Sequence, residues 1–558
     1  MPTANLPNLE ELAVKSIQSA RDPLKIADRT RETLESVWLQ NRHRPSKSGP
    51  TVPSQLVLVL GALALPFLSG CPQLPTGIQS SHTSPLEVAG AIVFHNAPAK
   101  RLDIVTASGS QLSISHPKYS NTPELRHVTA NGKLALLLDT DGRSLAIVDG
   151  KTVREIALPS EFAGINDSED SSAAVLWHPP SGGVTTSIVN TDEIALVDLG
   201  PAAGTTAVRV ANLAGLGKAP LVAKATKELA GADGNHRLVW VEAAGRLGLI
   251  DFAPAGKVRT RVVPLAADTQ SAIAPIRSEV RTSATAVELY LLAATLNDLV
   301  HVHIDLAGAE LSATVDQVAA GAVPLDFHLF DSKEGLRVLT ANFAGKSLAL
   351  LDPANGSGLE IPLETAVTRF LPVQGADGRP RLLAWNHLQG SARAYTIDVD
   401  DLIKKKGKAI TKLTFNAAIG AIRTVASYAV VQLQSSSASL ALLEVVSGKV
   451  TEFQGAGALI DLRVVVSTGS TALWLLGTAN SSSRLSRVDL VTLHAESLSL
   501  AATNPAMLVR LGDAGVAALG SGLGGFYVAA FPTGELNASK GQWLDGFALE
   551  GYTQWGAQ

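Results

Sequence analysis

An all-β chain folded as a single β-propeller of four-stranded antiparallel blades is predicted by three observations. One hairpin pattern recurs along residues 84–558: an apolar strand, four or five turn residues, and a second alternating strand that often ends in an acid. The acidic ends fall at Asp149, Asp198, Asp251, Asp305, Asp352, Asp398, Glu444 and Asp489, so consecutive spacings are 49, 53, 54, 47, 46, 46 and 45. No helical pattern longer than a turn or two interrupts them, except over Asp400–Lys408. Four short strands repeating every 45–50 residues is the period of propeller blades. A lone blade leaves both faces of its sheet in water, so neighbours must stack face to face.

The elements follow in order along the chain. Residues 1–55 include a stretch, 8–40, with helix-period apolar spacing and mixed charge, which reads as an amphipathic helix. Either the start lies too far upstream, or the segment is a discarded pre-sequence, or it is a cytoplasmic helix on a short anchor. Residues 56–71 hold the one long apolar run, Leu56 to Gly70, ending at Cys71, the single cysteine of the chain. Fifteen residues broken by Pro66, Gly61 and Gly70 are short for a membrane span, which needs about 20. The run suits the apolar region of a secretory signal, with Arg42, Arg44 and Lys47 upstream as its basic flank. Residues 72–83 form a linker rich in Pro, Ser and Gly.

The blade repeats begin at residue 84. Among the hairpins are Leu134–Leu138 with Leu145–Asp149, Ser187–Val189 with Ile194–Asp198, Leu238–Val241 with Leu247–Asp251, and Leu289–Leu292 with Val300–Asp305. Weaker copies flank the series at Ile92–Phe94 with Leu102–Val105 and at Val516–Leu519 with Phe526–Ala530. A further strand follows each hairpin, as in Lys257–Leu265, and an apolar segment such as Val323–Phe330 or Ile460–Val466 leads into the next. Ten hairpins set an upper count. Rings rarely exceed about eight blades, so eight to ten are expected. The terminal acids have a structural job, accepting backbone N–H groups of the turn that follows. Trp240, Trp385 and Trp474 occupy equivalent hairpin strands and are expected to pack between blades.

Two resemblances rest on these residues. Leu68-Ser69-Gly70-Cys71 resembles the lipobox of bacterial lipoproteins, which implies a lipid on Cys71, a signal segment over 56–71 and anchoring at the cell envelope. Pro72 after the cysteine is similar to the pattern of outer-membrane sorting, facing either periplasm or cell surface. Asn342 to Asp352 and Ser482 to Asp489 resemble the YVTN/WD40-like propeller repeat, loosely but over residues 84–558.

Composition narrows the function classes. Lys and Arg total 46 against 50 Asp and Glu, a net charge of −4, so no nucleic-acid partner is expected. One cysteine cannot form an internal disulfide. Common catalytic signatures are missing from the sequence: no Gly-x-Ser-x-Gly, no His-Glu-x-x-His, no cysteine pair for zinc. Gly150-Lys151-Thr152 and Gly345-Lys346-Ser347 end like phosphate loops but lie in β-turns. Gly520–Gly525 matches a dinucleotide fingerprint in form, yet joins two strands of a hairpin. Asp139-Thr-Asp141-Gly142 reads as a hairpin turn, and Asn166–Asp170 as a solvated acidic loop.

His301 and His303 share one strand face, a spacing used by metal sites on sheets, with Asp305 and His328 as further ligands to consider. The innermost strands carry Asp326, His328, Arg369, Arg423, Asp461, Arg463 and Arg510, a set that leans basic and suits an anionic channel ligand. The primary expectation is a monomeric, lipid-anchored, non-enzymatic interaction module for a protein or glycan, with no cofactor and no catalytic residue. The alternative is a lactonase-like or quinone-dependent dehydrogenase-like enzyme at the central channel, since the propeller resemblance includes such activities.

Overall fold

The computed structural model describes residues 85–544 apart from short internal stretches, the longest being 180–191 and 266–274. Residues 1–84, with the signal-like run, Cys71 and the linker, lie outside the described residues.

The described chain is a β-propeller of ten four-stranded antiparallel blades, one of which (blade 4) carries an additional short strand, Leu229–Gly231. Each blade is a meander of consecutive strands. The first strands are Leu86–Val88, Leu125–Val128, Gly164–Asp167, Val222–Ala225, Arg277–Thr282, Pro324–Ser332, Arg369–Gln374, Ala418–Val425, Ala458–Ser467 and Asn504–Leu511 for blades 1 to 10. First strands of neighbouring blades touch one another, which makes them the inner strands around the channel. The segments read as leading into the next hairpin, Val323–Phe330 and Ile460–Val466, are thus the inner strands of blades 6 and 9.

The apolar core is divided. Ten clusters of buried side chains are found among the described residues, one between each pair of adjacent blades. Period-2 alternation explains this directly. In blade 4, Leu238 and Trp240 face blade 5, while Val239 and Val241 face blade 3. That is why the second and third strands read as continuous apolar runs: both faces are covered. Trp240, Trp385 and Trp474 lie in three of these interfaces as expected, and Trp177 fills a fourth.

One hairpin partner differs from expectation. Glu193–Asp198 pairs with Ala173–Trp177, not with Ser187–Val189, which lies outside the described residues. An apolar strand, Ala-Ala-Val-Leu-Trp, was available farther upstream, and a long connection separates it from its mate. The helical expectation contracts to one short helix, Val399–Ile403, capped by the Asp398 carboxylate on Asp401 N at 3.0 Å.

The ring closes without exchanging a strand. Blade 1 is wholly N-terminal and blade 10 wholly C-terminal. The seam is held by an apolar cluster containing Ile92, Phe94, Val509 and Leu519, and by Gly512 N donating to Gly90 O at 2.8 Å. Gly90 has φ +75°, and a Cβ there would meet Gly512 N at 2.7 Å. Gly90→Ala is expected to lower stability by about 2–4 kcal/mol, from the left-handed conformation plus the clash. A thermal melt checks the size, and hydrogen exchange should rise first in blades 1 and 10. Uniform exchange across the ring would contradict a seam at that point.

Candidate functional site

Backbone geometry sets where the channel charges go. The inner strands of blades 6 and 9 each carry a bulge, between Pro324 and Asp326 and between Leu459 and Asp461, and the bulge re-aims the aspartate that follows it. Asp326 accepts Phe327 N at 2.9 Å through one oxygen and Phe370 N of blade 7 at 2.7 Å through the other. Asp461 repeats the arrangement with Leu462 N and, in blade 10, Leu508 N, each at 2.8 Å. Glu279 of blade 5 accepts Leu329 N of blade 6 at 3.1 Å. Glu87 of blade 1 accepts Arg510 N of blade 10 at 3.4 Å and pairs with Arg463 of blade 9 at 2.8 Å. The inner carboxylates are therefore cross-blade staples.

Most of the predicted channel ligands serve the same fastening. Arg423 donates to Leu462 O at 2.9 Å and approaches Asp461 at 3.6 Å. Arg463 also donates to Leu508 O at 3.1 Å, and Arg510 to Gly512 O at 3.1 Å. His328 Nδ1 lies 3.5 Å from Glu279 and lines a separate groove of about 310 Å³ between blades 6 and 7. These residues come from separate blades, and each is held by its own neighbours.

Arg369 is the exception. It is exposed, its side chain forms no hydrogen bond or ion pair with the described residues, and it lines a cleft of about 610 Å³ at the end of the channel where the inner strands begin. Four consecutive blades supply the walls: Lys224 from blade 4, Arg277 from blade 5, Asp326 from blade 6, and Arg369 and His387 from blade 7. Lys224 Nζ donates to Ser278 Oγ at 2.7 Å and stays 3.8 Å from Glu242. Arg277 pairs with Asp326 and, at 3.3 Å, with Glu279. Asp326 is 2% exposed, and burial pushes its carboxyl up against the opposing pull of Phe370 N–H and the Arg277 charge. Burial and then the Arg369 charge push the His387 ring below the usual histidine range. Arg369 and Asp326 are legible in the sequence as inner-strand charges, whereas Lys224, Arg277 and His387 carry no local signal, because their convergence depends on how four blades are rotated about the axis.

Away from the channel, His301 and His303 do share a face of blade 5. Each ring nitrogen lies 2.6 Å from a different oxygen of Glu288, and Tyr290 stacks on His301 at 4.6 Å. Asp305 instead accepts Ala307 N at 2.9 Å, and no metal-ready group of three or more His, Cys, Asp or Glu occurs among the described residues.

The strand-ending acids divide. Asp149, Asp198, Asp305, Asp352, Asp398 and Asp489 each accept a backbone N–H of the following turn or helix, as expected. Asp251 does not: it is fully buried and binds Arg259 at 2.6 Å and His236 at 3.1 Å, while Arg259 goes on to Leu306 O of blade 5 at 2.9 Å. Among the described residues the Glu444 carboxylate accepts a hydroxyl, Ser447 Oγ at 2.9 Å, and no turn N–H. Within Gly520–Gly525 the hairpin reading holds, with Gly522 opposite Gly525.

Asn166–Asp170 is a correction of larger consequence. Glu169 and Asp170 are exposed, as expected, but the stretch also joins three blades. Asn166 donates to Ala223 O of blade 4, and Asp167 binds His127 and Ala130 N of blade 2, at 2.8–2.9 Å. Asp170 accepts Arg237 of blade 4 at 3.0 Å together with Ser168 and Ser172. Charged residues in series looked like a solvent face, but the buried Arg237 requires a counter-charge.

No protein-family model and no curated protein sequence matches the chain. Similar solved structures include dihydro-heme d1 dehydrogenase NirN in complex with DHE, at 15% identity over 68% of this chain and 75% of that one, with a TM-score of 0.38. A eukaryotic initiation factor matches at 10% identity over 80% and 92% of the two chains, TM-score 0.41. Apo AztD from Citrobacter koseri matches at 12% over 67% and 94%, TM-score 0.32. No residue role passes from them to this chain.

Two outcomes follow from the staples. Asp461→Ala should cost about 1–3 kcal/mol, because Leu508 N–H loses its acceptor, and a denaturant melt reads it. Asp170 is held well below the usual carboxylate range against a burial cost, by Ser168, Ser172 and Arg237. A depressed folded pKa means its stabilisation is complete above about pH 4 and is lost as pH falls further. Asp170→Asn should therefore flatten the acid limb of a stability–pH curve; an unchanged limb would contradict the pairing.

Proposed function

We propose that this chain is a lipid-anchored, non-enzymatic propeller that presents a ring face to a protein or glycan partner at the bacterial cell envelope. The observation that carries the non-enzymatic part is the use of the inner carboxylates. Glu87, Glu279, Asp326 and Asp461 accept backbone N–H groups of neighbouring strands, so the groups that would serve as acid or base at the channel are committed to holding it. The lipobox-like Leu68–Cys71 supports the anchor, and Pro72 the outer-membrane address. The enzyme reading draws on the blade 4–7 cleft, where His387 and Asp326 both reach the wall.

Two measurements test this. Mass spectrometry of the mature N-terminus is expected to give an acylated Cys71, and an intact Met1 would overturn the anchor. Alanine substitution of exposed residues on each rim is expected to release a co-purifying partner from one rim only. Turnover of a lactone or an alcohol, with metal and quinone supplied, that is lost in His387→Ala would favour the enzyme instead.

A further inference from the structure

The cleft shared by blades 4–7 is lined by three cations, of which Arg369 is exposed and makes no side-chain hydrogen bond or ion pair with the described residues. Lys224, Arg277, Arg369 and Asp326 line it, while Glu242 behind Lys224 and Glu279 beside Arg277 face the first two cations and leave Arg369 as the exposed charge. Arg277 and Asp326 satisfy each other. The Arg369 side chain makes no hydrogen bond or ion pair with the described residues, although its charge reaches Asp326, and a guanidinium there presents several donors in a fixed fork. Lys224 adds a second charge while keeping its bond to Ser278.

Apolar side chains lie on the same wall. Ile276, directly before the inner strand of blade 5, is 52% exposed, and Leu388, in the hairpin turn of blade 7, is 60% exposed. Leu221 and Val323 hold the positions matching Ile276 in blades 4 and 6, and are also exposed. A volume of about 610 Å³ falls in the range of small-ligand sites.

We propose that the channel mouth of blades 4–7 binds a small amphiphilic anion, with its phosphate or carboxylate head on Arg369 and Lys224 and its aliphatic body over Ile276 and Leu388. Head and tail find separate partners on one wall, contributed by four consecutive blades. The Thr368 hydroxyl, 2.8 Å from His387 Nδ1, steadies that ring at the edge of the cleft. The site stands whether or not the chain is anchored at an envelope.

Isothermal titration of the full chain in low-salt buffer tests it, with octyl phosphate, inorganic phosphate and octyltrimethylammonium as probes. Octyl phosphate is expected to bind one to one and more tightly than inorganic phosphate, with the cationic probe silent. Arg369→Gln should weaken octyl phosphate at least tenfold, and Leu388→Ser should weaken it while leaving inorganic phosphate unchanged. Both side chains are exposed, so melting temperatures should hold; if Arg369→Gln fails to fold, Lys224→Gln takes its place. No binding of octyl phosphate, equal binding of the cation, or unchanged affinity in the Arg369 variant would each overturn the site. None of these results bears on acylation of Cys71, so the two readings fail separately.

Discussion

Burial of both faces of every sheet is the constraint on which this structure depends. A four-stranded blade with apolar side chains on each side is stable only between two others. The requirement has no end until the last blade meets the first, which here takes ten blades. No shared blade fastens the ring. The seam relies on the Ile92, Phe94 and Val509 cluster and on two glycine backbones close enough to hydrogen-bond.

The same constraint explains the charges around the channel. Near the axis, side chains of one inner strand reach backbone N–H groups of the inner strand of a neighbouring blade. Carboxylates do this: Asp326 and Asp461 each satisfy one N–H of their own strand and one of the next blade. Asp167 and Asp170 do comparable work between blades 2, 3 and 4. A channel lined by acids and bases is, in this protein, mostly a fastened surface. Arg369 stands out because it is left over.

Much of the fold was legible in the sequence. Period-2 alternation and the 45–54-residue spacing identify the hairpins, and the aromatic residues at matching positions identify the interfaces. The blade count was not fixed by periodicity, since it is the curvature of the ring that decides whether terminal repeats join it. The true partner of Glu193–Asp198 was hidden by a long connection that places a closer apolar stretch in between. Side-chain roles were less legible where the partner lies in another blade. The acidic run at Asn166–Asp170 has the composition of a solvated loop, and only the proximity of Arg237 gives it a structural role. Asp251 has the position of a turn acceptor, yet Arg259 and His236 claim it. The mouth cleft draws on residues as distant as Lys224 and His387, a relation no local pattern encodes.

The central claim is a single closed ring of ten blades, and the seam tests it most directly. Cysteines placed at Glu87 and Arg510, with Cys71 changed to Ser, can be treated with a short bis-maleimide. The account predicts an efficient crosslink within one chain, independent of protein concentration, because Arg510 N lies 3.4 Å from the Glu87 carboxylate across the seam. A crosslink that forms only between molecules, or none at all in the folded protein, would contradict closure.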